Sequence, residues 1–164
     1  GGHTGEMIRL LSGLDFERYA PRVYLVSAGD TMSLHKLHAL EVSQRGGGGG
    51  QEQQYAIIEL PRARRVHQSF WTAPLTTLWT LLHTLRICFF RPFARREGFA
   101  DVLLLNGPGT CVPIAAACLL SRFFALKSPR IIYVESFARV STLSLSGRLL
   151  RPLADRFVVH WPKL

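Results

Sequence analysis

Acidic residues are scarce in this sequence: 11 Asp and Glu stand against 20 Lys and Arg, most of them arginine, for a net charge of +9. That deficit excludes an acidic, self-solvating chain and favours anionic partners, whether nucleic acid, acidic lipid or a phosphorylated substrate. Cysteine is also sparse. Cys88, Cys111 and Cys118 are odd in number and form no CxxC pair, which argues against a disulfide framework and for reduced thiols in a cytosolic setting. His35 and His38, three apart, fit a surface pair better than a ligand pair, and no compact ligand spacing points to zinc, so neither metal nor cofactor is expected. No signal peptide is visible, nor any uninterrupted apolar run of about 20 residues able to span a bilayer. An initiating Met is missing as well. The chain opens within a glycine loop, so truncation at the start is expected, with an upstream anchor left open.

What is present suits a folded domain. The 164 residues are 48% hydrophobic and 19% charged, enough to bury a substantial core. Met7, Ile8, Leu10, Leu11 and Leu14 recur at helical spacing over residues 4–14, with Thr4 as the expected cap and Gly13 as the stop. A β-rich run, Arg22 to Ser27, turns at Ala28-Gly29-Asp30, which places Asp30 and Ser33 on a loop or helix start. A helix is expected from Ser33 to about Gln44. Residues 45–54, five glycines followed by a Gln-rich stretch, read as a low-complexity insertion.

Tyr55 to Leu60 reads as a strand ended by Pro61, and an Arg62, Arg64, Arg65 cluster follows. A long helix is expected from Thr72 to Phe93, suited either to a core or to a membrane interface through Trp71, Trp79, Phe89 and Phe90. Asp101 to Asn106 and Ile131 to Val134 are apolar strands of the kind found inside parallel sheets. Between them lies an apolar helix ending at Phe124. A helix over residues 144–154 and a strand over 156–159 close the pattern. Alternating strands and helices predict an α/β, Rossmann-like, three-layer domain with a mostly parallel sheet over residues 1–164.

Ligands in such sheets bind beyond the carboxyl ends of the strands. Gly1-Gly2-His3-Thr4 and Asn106-Gly107-Pro108-Gly109-Thr110 are glycine loops feeding helices at such positions. Both suit a phosphate, through close backbone approach and the helix dipole, or simply a tight turn. Glu135 at the end of another strand suits a sugar hydroxyl or proton abstraction, or else a carboxylate at a helix start. Arg139 suits a phosphate or a surface acid, and the Arg62 cluster a solvated face or anionic headgroups.

Several of these stretches, taken in order, resemble one family. They are Gly1 to Met7, Pro61 to Arg64, Gln68-Ser69, Asn106 to Pro113, Tyr133 to Val140, Leu143 to Gly147, Leu153 to Asp155 and Trp161-Pro162. The family is that of the membrane-anchoring, acceptor-binding subunits of the UDP-N-acetylglucosamine transferase of dolichol-linked oligosaccharide synthesis. The resemblance implies the N-terminal half of a split GT-B glycosyltransferase, inactive alone. Its implied partners are a soluble UDP-N-acetylglucosamine-binding catalytic subunit and a dolichol-diphosphate-N-acetylglucosamine acceptor. The implied location is the cytosolic face of the endoplasmic reticulum membrane or the nuclear envelope.

By that likeness His3 and Glu135 are the catalytic candidates for deprotonating the acceptor hydroxyl, His3 serving alternatively to position phosphate. Gly1, Gly2, Thr4, Asn106, Gly107, Gly109, Thr110, Ser136 and Arg139 are expected to hold the acceptor diphosphate. Against the family pattern the chain lacks the N-terminal single-pass anchor, the first strand and the tail after Trp161-Pro162, so truncation is expected at both ends. The rival expectation is a non-catalytic scaffold that only recruits its partner to the membrane. A nucleic-acid partner is not expected, because the charge is accompanied by no recognisable binding motif.

Overall fold

The computed structural model describes residues 2–44, 55–61, 73–90, 99–107 and 109–163. Gly1, the 45–54 insertion, the Arg62 cluster, Gln68-Ser69, Trp71 and Pro108 lie outside the described residues. The chain divides into two compact units, Gly1–Leu60 and Pro61–Leu164.

The first unit carries α1 (Gly2–Ser12), β1 (Arg22–Ser27), α2 (Thr31–Gln44) and β2 (Tyr55–Leu60). The β-branched and aromatic residues of β1 pair in parallel with β2, from Arg22 opposite Tyr55 to Ser27 opposite Leu60. Asp30 starts α2 as expected: its carboxylate accepts from the Ser33 backbone N–H at 3.1 Å and the Ser33 hydroxyl at 2.6 Å. Ser33, Leu37, Leu40 and Glu41 then fall on one buried helix face. The opening residues of this unit depart from their expected places. Helix α1 begins at Gly2, so Thr4 lies inside the first turn rather than capping it. Since the Ser33 proton goes to Asp30, the Thr4 hydroxyl donates to Ser33 Oγ on α2 at 2.7 Å.

A buried charge network ties this unit together. Arg22 donates from Nε and Nη2 to the two oxygens of Glu41, both at 2.9 Å, and the Tyr24 hydroxyl adds a 2.6 Å bond. Arg22 Nη1 also donates to the carbonyls of Phe16 and Tyr19. The guanidinium lies 4.3 Å from the Phe16 ring centroid, so strand, helix and the preceding loop share one cation.

The second unit contains α3 (Ala73–Leu85) running into a π-helical turn (Arg86–Phe90), then β3 (Val102–Asn106), α4 (Cys111–Phe123), β4 (Arg130–Val134), α5 (Leu145–Leu150) and β5 (Arg156–Val158). The strands form a parallel sheet in the order β3-β4-β5, with Asn106 opposite Val134 and Val134 opposite Val158. All strand pairs among the described residues are parallel, which makes the protein α/β and Rossmann-like. Leu103, Leu105, Ile131, Tyr133 and Val134 supply the sheet's share of the core, and Ile114, Ala115, Ala117 and Cys118 the share of α4. Arg122 on α4 grips Asp155 in front of β5 through both oxygens, and Asp155 also accepts from the Ile131 N–H at 2.7 Å.

The single helix expected over residues 72–93 is instead α3 plus the π-turn. Thr80 and Thr84 face inward and bond the carbonyls of Thr76 and Thr80, a back-bonding pattern that bends helices, and Cys88 continues the same buried face. Leu78, Trp79, Leu82 and Phe90 point outward. Among the described side chains the exposed face thus carries these four large apolar groups beside Arg86, while Leu81, Leu85, Ile87 and Phe89 are half-buried. No helix among the described residues is long and apolar enough to cross a membrane. Helix α5 stops at Leu150 rather than reaching Ala154, because Pro152 cannot continue it.

Candidate functional site

The expected site residues fall into two groups, one in each unit. In the first, Gly2, His3 and Thr4 all lie in the opening turn of α1, so the glycine loop expected there is already helix. His3 is about half exposed, with Nδ1 3.9 Å from a Glu6 carboxylate oxygen. A side chain added at Gly2 would meet nothing within 4 Å, so neighbouring atoms do not dictate glycine there.

The second group gathers at the carboxyl ends of β3 and β4, which the register places side by side. Asn106 is buried and donates from Nδ2 to the Val134 carbonyl at 3.2 Å, fastening the last rungs of the two strands. This puts part of its hydrogen-bonding capacity into the scaffold beneath the loops. Gly107 follows with φ +79°, a left-handed conformation that makes glycine the natural occupant. Gly109 has open space around it, and Thr110 stands at the N-cap of α4 without using its side chain to cap the helix. That hydroxyl leaves the start of α4 uncovered, although the Val112 N–H donates to the Gly109 carbonyl at 3.3 Å and Pro113 has no N–H, so few backbone donors remain there for an anion. Burial pushes the neighbouring Cys111 thiol up to about 12, which favours its protonated form.

Beyond β4, Glu135 is fully buried. Its backbone N–H extends the ladder to the Val158 carbonyl. One carboxylate oxygen accepts from the Ser136 N–H at 2.9 Å, and the other from both the N–H and hydroxyl of Ser144 at 3.0 Å each. Ser144 is the N-cap of α5, its Oγ accepting from the Gly147 N–H. Tyr133 reaches the same hydroxyl at 3.3 Å, and burial holds its phenol up at about 12. A side chain on Gly147 would run into Glu135 Oε2 and approach Ser144 Oγ. Proton abstraction needs an oxygen facing the substrate, whereas both oxygens of Glu135 are turned inward and bonded to the chain.

Ser136 opens the loop after Glu135. Its Oγ accepts from the Ala138 N–H and its carbonyl from the Arg139 N–H at 3.0 Å, a turn that leaves Arg139 exposed. The exposed ring of Phe137 lies 5.1 Å from Trp161, whose indole N–H donates to the Phe137 carbonyl at 2.9 Å.

Sequence reasoning identified Glu135, Ser136 and Arg139 as a strand-end group but assigned no role to Ser144 or Gly147. The available signal was the capping spacing of Ser144 and Gly147, three residues apart in front of an apolar run.

Comparison with known proteins gives one consistent result. Residues 1–164 match the family described as "Oligosaccharide biosynthesis protein Alg14 like". Proteins named UDP-N-acetylglucosamine transferase subunit ALG14 are similar over nearly the whole chain. The one from Cryptococcus neoformans is 48% identical, over 99% of this chain and 70% of its own length. That from Schizosaccharomyces pombe is 46% identical over 100% and 73%, and that from Homo sapiens 41% over 100% and 73%. No solved structure matches. With a family match end to end and relatives well above 30% identity, the chain belongs to the Alg14-like family of oligosaccharide biosynthesis proteins.

Proposed function

We propose that the chain is the acceptor-side subunit of a UDP-N-acetylglucosamine transferase, which adds the second N-acetylglucosamine to dolichol-diphosphate-N-acetylglucosamine. It acts with a soluble subunit that binds the UDP-sugar and is recruited by this chain to the cytosolic face of the endoplasmic reticulum membrane. The subunit role follows from the family. The acceptor site rests on one observation: two loops, 107–110 and 136–139, emerge from adjoining strand ends of one parallel sheet. The first offers a left-handed glycine and a helix start, the second an exposed arginine. Backbone N–H groups and a guanidinium are the donors a diphosphate requires.

Ser136, Arg139, Gly107, Gly109 and Thr110 hold the acceptor diphosphate, and Asn106 braces the strand ends below them. Of the two candidate bases, His3 has a half-exposed imidazole, whereas the carboxylate of Glu135 is engaged within the chain. The outward Leu78, Trp79, Leu82 and Phe90 suit a helix resting in the lipid interface, where amphipathic rings settle.

The test uses the full-length protein reconstituted with its partner subunit on vesicles carrying the lipid-linked acceptor. Arg139→Ala should raise the acceptor KM about ten-fold, the worth of one hydrogen bond to a charged group, with partner recruitment intact. Transfer left unchanged by Arg139→Ala and by Thr110→Ala, with recruitment intact, would instead establish the scaffold reading.

A further inference from the structure

The 136–143 loop is held from beneath at both ends by a single side chain. Glu135 Oε1 receives the N–H of Ser136, where the loop begins, and Oε2 receives the N–H and hydroxyl of Ser144, where it ends. Between these points Phe137, Ala138, Arg139, Val140, Ser141 and Thr142 are all exposed. Among the described residues the loop is also tied by the Ser136 turn and by the Trp161 bond to the Phe137 carbonyl, while Glu135 reaches both of its ends.

The surroundings are shaped for it. The bare Cα of Gly147 leaves room for Oε2, and the Ser144 hydroxyl that donates to Glu135 also accepts from Gly147 N–H, so loop closure and the start of α5 share one atom. A fully buried carboxylate is costly unless donors satisfy it, and here three donors from the chain itself do so. All three come from the two residues that bound the loop.

We propose that Glu135 is a positioning residue, clamping the 136–143 loop so that Arg139 is presented to the acceptor diphosphate. The inference rests on the acceptor-site reading above and gives Glu135 a role in place of proton abstraction. Glutamine at this position keeps one accepting oxygen but turns an amide donor toward groups that are themselves donors, so one end of the loop comes loose. Ser144→Ala removes one of the three bonds and the cap of α5 while leaving the carboxylate in place.

In the reconstituted full-length complex, Glu135→Gln and Ser144→Ala should each raise the acceptor KM about ten-fold. Donor KM should stay unchanged, kcat should fall only a few-fold, and both limbs of the pH–rate profile should persist. Ser144→Thr, which retains a capping hydroxyl, should restore the acceptor KM. Combining Glu135→Gln with Arg139→Ala should cost no more than Arg139→Ala alone, since both act through one guanidinium. If Glu135→Gln does not fold, Ser144→Ala carries the same readouts.

A fall in kcat of about 10²–10⁴ with the acceptor KM unchanged and one pH limb lost would make Glu135 the base and overturn the clamp. An acceptor KM that responds to Arg139→Ala but not to Glu135→Gln or Ser144→Ala would overturn the clamp while the acceptor site stands. An acceptor KM indifferent to Arg139→Ala would remove the acceptor-site reading itself.

Discussion

Arg22 and Glu41 meet as a two-pronged pair, both contacts 2.9 Å, with the Glu41 side chain only 1% exposed. Removing one member of such a pair leaves the other charge buried without its counter-ion, typically a loss of about 3–5 kcal/mol. Glu41→Ala should therefore lower the stability of the first unit by about 3 kcal/mol, measured by urea unfolding. Glu41→Gln should cost less, because the amide oxygen can still accept from Arg22 or Tyr24. Equal losses for the two variants would show that the charge pairing contributes little beyond hydrogen bonding.

Asp155 gives the stability a dependence on acid. The Arg122 guanidinium, helped by the Ile131 N–H, holds its carboxyl below the ordinary carboxylate range. Because the folded form binds the proton less readily than the unfolded form, the contribution is complete above the unfolded value of about 3.9 and is lost as pH falls through the lower folded value. Asp155→Asn should flatten this acid limb in thermal melts between pH 5 and pH 2 (about the range of carboxylate titration). A wild-type acid limb retained in the variant would assign it to other carboxylates.

Two glycine substitutions should differ in their effect on stability. Alanine at Gly147 would gain about 0.5–1 kcal/mol of helix propensity but place its methyl against Glu135. Overpacking of this kind costs about 1–3 kcal/mol, so a net loss is expected. Gly2→Ala meets open space in the first turn of α1 and should be neutral or slightly stabilising. A drop in transfer by Gly2→Ala without a drop in melting temperature would point to close approach of a ligand to the backbone.

Gly107→Ala places a side chain at φ +79°, which costs about 1–2 kcal/mol in the left-handed region. The melting temperature should fall, and the acceptor KM should rise if the 107–110 loop is displaced. Unchanged melting would mean that the loop relaxes to another turn at no cost.

On the outward face of α3, Trp79→Ser combined with Phe90→Ser should weaken co-sedimentation with vesicles containing anionic lipid while leaving the far-UV circular dichroism spectrum unchanged. Equal sedimentation would assign these side chains to a different contact.

Strands were the most legible part of the sequence. Arg22–Ser27 and Tyr55–Leu60 match their expected limits, and β3 and β4 fall within one residue of theirs, because short β-rich runs end at Pro, Gly or a polar residue. Helix limits were harder to read where a distant partner decides them. Thr4 looks like a cap, but α1 already begins at Gly2, and the Thr4 hydroxyl instead reaches Ser33, 29 positions away. The Leu- and Trp-rich composition of residues 72–93 concealed both the π-turn and the inward face, although Thr76, Thr80, Thr84 and Cys88 recur every four residues, because threonine is not an obvious core residue. At the candidate site, spacing located the strand ends and their loops. It did not reveal that Glu135 would bond Ser144, because that contact depends on how a nine-residue excursion folds back.

The bond from the Trp161 indole to the Phe137 carbonyl has an experimental consequence. Indole emission is sensitive to the hydrogen bond at its nitrogen and to the rings packed against it, and here both come from the 136–143 loop or its border. In a variant with Trp71 and Trp79 replaced by Phe, Trp161 becomes a built-in optical probe of that loop, so its movement can be followed by fluorescence without attaching a dye.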